Sequence, residues 1–171
     1  MRTLARLGLS ALALALALLA TPALAGGLLE VSAGSGFRFS PSPIERIPTN
    51  VMLTGGYAFT DMLKLELGVA GNLGDVKHSK FDLDLRPMVV ISPPLMPVYA
   101  RGILGVGGLL EKPTHLVYGG ALGLSLGALG VGAFVEAGAL SRRVNWPNSS
   151  GTGTTKKDIW LAEGRVGIYF K

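Results

Sequence analysis

The feature that most constrains the fold is the strict alternation of apolar and charged residues at the start of residues 81 to 91, FDLDLRPMVVI. A period of two residues is that of a β-strand with two unlike faces. A helix would scatter the same charges around its circumference and would carry Pro87 in its interior, at a cost of about 3 kcal/mol. The segment is therefore predicted to be a strand with one wholly apolar face and one charged face.

The amino terminus has the three parts of a secretory signal peptide. Arg2 and Arg6 precede an uncharged run from Leu7 to Ala20, and Ala23 and Ala25 frame a cleavage site. The run is shorter than the roughly 20 residues that a membrane-spanning helix needs. We therefore expect residues 1 to 25 to be removed during export and residues 26 to 171 to form a single domain.

Composition favours a membrane protein that is built from strands. The chain has no cysteine, which excludes disulfides, thiolate chemistry and cysteine-ligated metals. Glycine supplies 25 of the 171 residues, and 49% of residues are hydrophobic. Because charged residues still occur in nearly every segment, this combination suits a membrane β-barrel better than a soluble sandwich.

Alternation predicts eight strands, each near the roughly 9 to 11 residues that a tilted strand needs to cross hydrocarbon. The predicted fold class is an all-β, eight-stranded antiparallel up-and-down transmembrane barrel. Connections of short and long type alternate, as expected when turns lie on one side of the membrane and loops on the other. The predicted strands are Glu30 to Ser40, Val51 to Phe59, Leu63 to Gly71, Phe81 to Ile91, Val98 to Leu109, Leu116 to Leu126, Val131 to Leu140 and Ile159 to Phe170.

Eleven charged residues fall on the strand faces opposite the apolar sets, and none falls on the predicted lipid face. Six acids and five bases nearly neutralise one another, as charges in a narrow lumen must do to offset their desolvation. We expect these residues to form a charge network in the lumen. They are Glu30, Arg38, Lys64, Glu66, Asp82, Asp84, Arg86, Arg101, Glu136, Glu163 and Arg165.

Aromatic residues gather at the strand ends, which is typical of the two interfacial girdles of a membrane barrel. The predicted outer girdle is Phe37, Phe39, Phe81, Tyr118 and Trp160, and the predicted inner girdle is Tyr57, Phe59, Tyr99, Tyr169 and Phe170.

Two parts of the sequence oppose a barrel. Leu116 to Leu140 holds an uncharged run long enough for a membrane helix, and its glycines recur at every fourth position. Against a helix, Gly127 to Gly130 is a good turn and Glu136 would enter the membrane alone. Pro87 also removes an amide from a closed ladder, so we expect a β-bulge there.

The chain resembles the small eight-stranded outer-membrane barrels, namely outer-membrane proteins X and W and the membrane domain of outer-membrane protein A. Its closing strand, Trp160 to Phe170, is similar to the carboxy-terminal assembly signal of that family, although Lys171 follows the final aromatic residue. The resemblance implies a monomer in the outer membrane of a Gram-negative bacterium. It also implies that the barrel-assembly machinery recognises the last strand.

The longest predicted loop, Ser141 to Asp158, carries Arg142, Arg143, Lys156 and Lys157. Lysine and arginine pair with phosphate oxygens, so outer-membrane lipids and lipopolysaccharide are the expected partners. Ordinary solubilising loop charge is an equal alternative.

A non-enzymatic role, which could be structural, adhesive or that of a very narrow pore, agrees best with these patterns. No cofactor, metal or nucleic-acid motif is present in the sequence. Two alternatives stay open. One is a lipid A-modifying hydrolase or acyltransferase that uses His78 or His115, and the other is a pathway for small hydrophobic molecules through glycine-rich walls.

Overall fold

The computed structural model describes residues 26–40, 44–60, 62–73, 81–110, 114–147 and 154–171. Within these ranges the side chains of residues 45, 48, 144–147 and 154–157 are also left undescribed. The predicted signal peptide and His78 lie outside the described residues, so the expectations placed on them stay predictions.

Eight antiparallel strands close into a barrel, each pairing with the next and the last pairing with the first. This confirms the predicted all-β, eight-stranded fold. The strands are β1 (Gly27–Ser40), β2 (Glu45–Ala58), β3 (Leu63–Leu73), β4 (Phe81–Ile91), β5 (Val98–Gly107), β6 (His115–Ala128), β7 (Val131–Pro147) and β8 (Thr154–Phe170).

The helical alternative for residues 116 to 140 is wrong. These residues form most of β6 and the first part of β7, joined by a tight turn. Leu129 and Gly130 occupy that turn with φ of 54° and 83°, a left-handed conformation that glycine adopts without strain. Across the described ranges, no helix is both long and apolar enough to span a membrane.

Burial alternates along the strands with the charged side chains turned inward. On β4, Asp84 and Arg86 are fully buried, whereas Phe81 is 49% exposed and Ile91 is 52% exposed. The apolar faces of the strands therefore form the outer wall, and the polar faces line the interior. This arrangement is the inverse of a soluble protein and suits a hydrocarbon surrounding.

Apolar side chains also pack inside the barrel, in two clusters. One cluster contains Met52, Ala70, Met88, Ile103, Leu140 and Leu161, with Ile47 and Ile159 packed against it. The second contains Val90, Tyr99 and Phe134, with Tyr169 packed against it.

The last two strands are longer than predicted. Pairing between β7 and β8 continues from Arg143 opposite Asp158 to Pro147 opposite Thr154. The neighbouring ladders end earlier, β6 pairing with β7 as far as Arg142 and β1 pairing with β8 as far as Trp160. Residues 143–147 and 154–158 thus form a two-stranded hairpin arm that extends about 17 Å past the barrel at about 3.4 Å per residue.

The expected bulge at Pro87 is wrong, because the register of β4 does not shift on either side. The β3–β4 ladder runs without interruption from Leu63 opposite Ile91 to Leu73 opposite Phe81. The β4–β5 ladder keeps one register from Leu85 to Ile91, with two unpaired positions at Arg86 and Pro87. The barrel accommodates the proline by leaving a gap in one ladder.

Candidate functional site in the barrel lumen

Arg101 is the hub of the inner half of the lumen. One of its terminal nitrogens, Nη2, lies 2.8 Å from Glu30 Oε2 and 3.1 Å from Glu66 Oε2. The other, Nη1, lies 3.0 Å from Glu136 Oε2. The Tyr99 hydroxyl donates a hydrogen bond of 2.8 Å to the same glutamate oxygen. One guanidinium group thus joins carboxylates from three other strands of the barrel wall.

A second cluster lies in the outer half, centred on Asp84. Its Oδ2 accepts hydrogen bonds from Arg86 Nη2 at 2.8 Å and from Arg142 Nη2 at 2.9 Å. Arg142 also donates to Asn72 Oδ1 at 3.3 Å. On its other side, Arg86 Nη1 lies 3.6 Å from Glu163 Oε2.

Arg165 connects the two clusters. Its Nη1 lies 3.5 Å from Glu136 Oε1 and its Nη2 lies 2.5 Å from Glu163 Oε1. Asn50 supports this link, because its amide donates to Glu163 Oε1 at 2.6 Å and its carbonyl accepts from Arg165 at 3.1 Å. Ion pairs therefore run without a break along the lumen, from Glu30 to Arg142.

Eight of the eleven residues predicted for the lumen take part in these ion pairs. The other three lie nearer the ends of the lumen. Arg38 is half-buried near the outer end of β1, and Lys64 is half-buried near the inner end of β3. Asp82 accepts hydrogen bonds from the backbone amides of Leu83 and Leu110, at 2.8 and 3.2 Å.

Arg142 was expected in an outer loop, and this placement is wrong. Because β7 continues to Pro147, Arg142 falls on the inward face of a strand and reaches Asp84. The alternation of β7 beyond Leu140 was the signal for this position, but the polar residues that follow Ser141 made the segment look like a loop.

The other expected phosphate contacts lie on the hairpin arm. Arg143 makes a two-point contact with Asp158, with distances of 2.9 and 3.2 Å. These hydrogen bonds hold the pKa of the Asp158 carboxyl below its usual value and raise the pKa of Arg143. Lys156 and Lys157 lie in β8, and their side chains fall outside the described part of the chain.

Two small cavities lie in the described part of the interior. A cavity of about 10 Å³ lies near the inner end between Glu30, Lys64 and Glu66. Another of about 10 Å³ lies between Glu136, Glu163 and Arg165. Each of these two cavities has room for about one water molecule.

His115 lies at the start of β6 on the inward face. A Cβ placed on Gly107, opposite it in β5, would lie 2.6 Å from His115 Nε2 and 2.5 Å from Asp84 Oδ1. The imidazole and the Asp84 carboxylate therefore flank the same glycine within the outer end of the lumen. Among the described residues, no three histidine, aspartate or glutamate side chains are grouped as metal ligands.

The aromatic girdles are partly as predicted. Tyr118 and Trp160 meet edge to face on the outside of the barrel, with ring centroids 6.0 Å apart. The placement of Tyr99 in the inner girdle is wrong, because its ring is only 6% exposed and packs inside against Phe134. Tyr169 also packs against this inner cluster.

The fold defines the chain as an eight-stranded transmembrane β-barrel. No family model and no curated protein matches it. Among solved structures it is similar to the crystal structure of Neisserial surface protein A, with a TM-score of 0.56 and 16% identity over 86% of this chain and 97% of that chain. It is also similar to the N-terminal β-barrel domain of Pseudomonas aeruginosa OprF, with a TM-score of 0.50 and 15% identity over 85% of this chain and 98% of that chain. At these identities the likeness concerns the fold, and the predicted resemblance to outer-membrane proteins X, W and A stays a prediction.

Proposed function

We propose that the chain is a non-enzymatic protein of the outer membrane of a Gram-negative bacterium, in which a charge network closes the lumen. The structural likeness to a Neisserial surface protein and to the OprF barrel supports this location. The observation that carries the closed lumen is the unbroken series of ion pairs from Glu30 to Arg142, beside which lie two cavities of about 10 Å³ each.

The physical basis is the small radius of the barrel. Eight strands enclose an interior that side chains can just fill. Arg101 reaches three carboxylates, and the apolar cluster around Met52 occupies the space between the charged groups. An ion that entered would have to displace paired charges, so a steady current is not expected.

The hairpin arm favours an adhesive role over a purely structural one. Among the described residues, no strand pairs with the outer edge of either strand beyond Arg142 and Trp160. A strand edge offers unpaired backbone groups to an extended segment of another protein. The arm would therefore act as the contact surface outside the membrane.

The enzyme alternative receives less support from the geometry. A lipid A-modifying enzyme needs its histidine where lipid can reach it, and His115 faces inward near Asp84. A pathway for hydrophobic molecules is also less well supported. The interior behind the wall is lined by buried charges such as Arg86 and Arg101, which an apolar molecule would have to pass.

Two partner proposals remain from the sequence. Recognition of lipopolysaccharide phosphates would depend on Arg143, Lys156 and Lys157, with Asp158 competing for Arg143. The barrel-assembly machinery would recognise β8, and the chain is expected to be a monomer.

Planar-bilayer recording of the mature protein tests the closed lumen. We expect no steady conductance from the wild type and discrete openings from Arg101→Ala, because that change releases three glutamates. Arg143→Ala, which alters only the arm, is the matched control and should stay silent. Reproducible steps in the wild type, with an ion selectivity changed by Arg101→Glu, would make the protein a small channel.

The adhesive role needs a separate experiment. A variant in which a short turn replaces residues 144 to 157 should fold like the wild type in detergent, and cells that display it should lose surface attachment. Attachment that is unchanged by this replacement would contradict the role of the arm.

A further inference from the structure

Pro87 creates a defined gap in the wall of the barrel. It lies near the middle of β4, on the outward face. The β3–β4 ladder passes through the pair of Leu67 and Pro87 without interruption. Because hydrogen-bonded and non-bonded pairs alternate in an antiparallel ladder, the backbone amide missing at Pro87 must point the other way, towards β5.

The β4–β5 ladder shows the effect of the missing amide on hydrogen bonding between the two strands. Leu85 pairs with Val106 and Met88 pairs with Ile103 in a single register, and the two positions between them are unpaired. In that register Pro87 stands opposite Leu104. The Leu104 carbonyl is therefore the acceptor that loses its ladder donor, in a region where no water is present to replace it.

A groove of about 870 Å³ lies on the outer wall over this gap. Its sides are outward-facing apolar residues, and Leu67 and Leu104 on two of its strands are 39% and 61% exposed. Gly102 leaves part of the wall without a side chain, since a Cβ there would find only Val89 O, at 3.9 Å. The groove thus combines apolar walls with one backbone acceptor, the Leu104 carbonyl, that has no donor from the facing strand.

We propose that this groove binds an acyl chain that carries a hydroxyl group, supplied by a lipid of the surrounding membrane. The apolar walls accept the chain, and the hydroxyl donates a hydrogen bond to the Leu104 carbonyl. A plain acyl chain fills the same groove but leaves the acceptor unpaired. A single hydrogen bond corresponds to a preference of roughly three- to tenfold for the hydroxylated chain.

Native mass spectrometry of the mature protein tests this site. The protein is released from micelles that contain equal amounts of a phosphatidylcholine with one mid-chain hydroxyl and of its hydroxyl-free analogue. The wild type should retain the hydroxylated lipid in about three- to tenfold excess. Pro87→Ala restores the missing amide, so it should fold at least as well as the wild type and should retain both lipids equally.

Gly102→Leu is the second variant, because it fills the groove and leaves the Leu104 carbonyl unpaired. It should reduce retention of both lipids. Equal retention by the wild type, or a preference that persists in Pro87→Ala, would overturn the proposal. A second protein copy retained in place of lipid, and lost in Gly102→Leu, would also overturn it.

Discussion

Arg165 and Glu136 join the two halves of the lumen, with Nη1 of the arginine 3.5 Å from Oε1 of the glutamate. Without this contact the ion pairs around Arg101 and those around Asp84 would form two separate clusters. The residues belong to adjacent strands, β7 and β8, and stand directly opposite each other in the ladder. The register between β7 and β8 therefore fixes the contact that joins the two clusters.

Arg101→Gln should destabilise the barrel more than loss of any ion pair at the surface. It leaves Glu30, Glu66 and Glu136 without their shared cation, and breaking a buried ion pair costs about 3 to 5 kcal/mol. Urea unfolding in lipid vesicles measures the change in the free energy of unfolding. Arg143→Gln, on the exposed arm, is the control and should have little effect. Equal stability of both variants would contradict the hub role of Arg101.

Leu85→Arg tests which face of β4 meets lipid. Leu85 is 37% exposed on the outer wall, and a cation near the bilayer midplane costs roughly 2 to 4 kcal/mol. Folding yield and unfolding free energy in vesicles report this cost. Leu85→Met keeps the side chain apolar and should behave like the wild type. If the arginine variant folded equally well, Leu85 would not face hydrocarbon.

Two glycines in paired strands provide a matched test of close packing. A Cβ at Gly36 would overlap the carbonyl oxygen of Ala162, whereas a Cβ at Gly164 would lie 4.0 Å from its nearest neighbour, Ser35 O. Gly36→Ala should therefore lower the free energy of unfolding by roughly 1 to 3 kcal/mol, as overpacking does. Gly164→Ala should be tolerated. The reverse order would contradict a close approach of β1 and β8 at Gly36.

Asp158 has a pKa below its usual value because Arg143 donates hydrogen bonds to it. A depressed folded-state pKa stabilises the arm above the unfolded pKa of about 3.9, and the contribution is lost as the pH falls through the folded value. We expect Arg143→Gln to raise the pKa of Asp158 towards that ordinary value. An NMR titration of the carboxyl carbon measures it, and a pKa unchanged by the substitution would rule out Arg143 as the cause.

Cleavage of the signal peptide is expected after Ala25, so that the mature chain begins at Gly26. Mass spectrometry of the protein purified from outer membranes gives the mass directly. A mass that includes residues 1 to 25 would instead indicate a retained anchor.

The alternation of β4 was sufficient to predict a strand, its facing and the barrel class, because a period of two assigns every residue to one of two sides. Bounds were less predictable for β7 and β8. The outer end of β8, residues 154 to 158, is polar on both faces, and β7 has three consecutive polar residues at positions 141 to 143. A strand in water need not show an apolar face. The hairpin arm was therefore mistaken for a loop, and Arg142 was misplaced with it.

The sequence by itself determined which side of each strand a residue occupies, and hence that Glu30, Arg101 and Glu136 share the interior. Only the closed barrel decided which charges meet. Arg101 lies 71 residues from Glu30 and 35 from Glu136, and their contact depends on strand tilt and register. Tyr99 lies two residues before Arg101 in β5 and shares its inward face, so alternation along the strand was the better guide to its place than its position at a strand end. Depth in a barrel is set jointly by all eight strands, and no single segment of sequence contains that information.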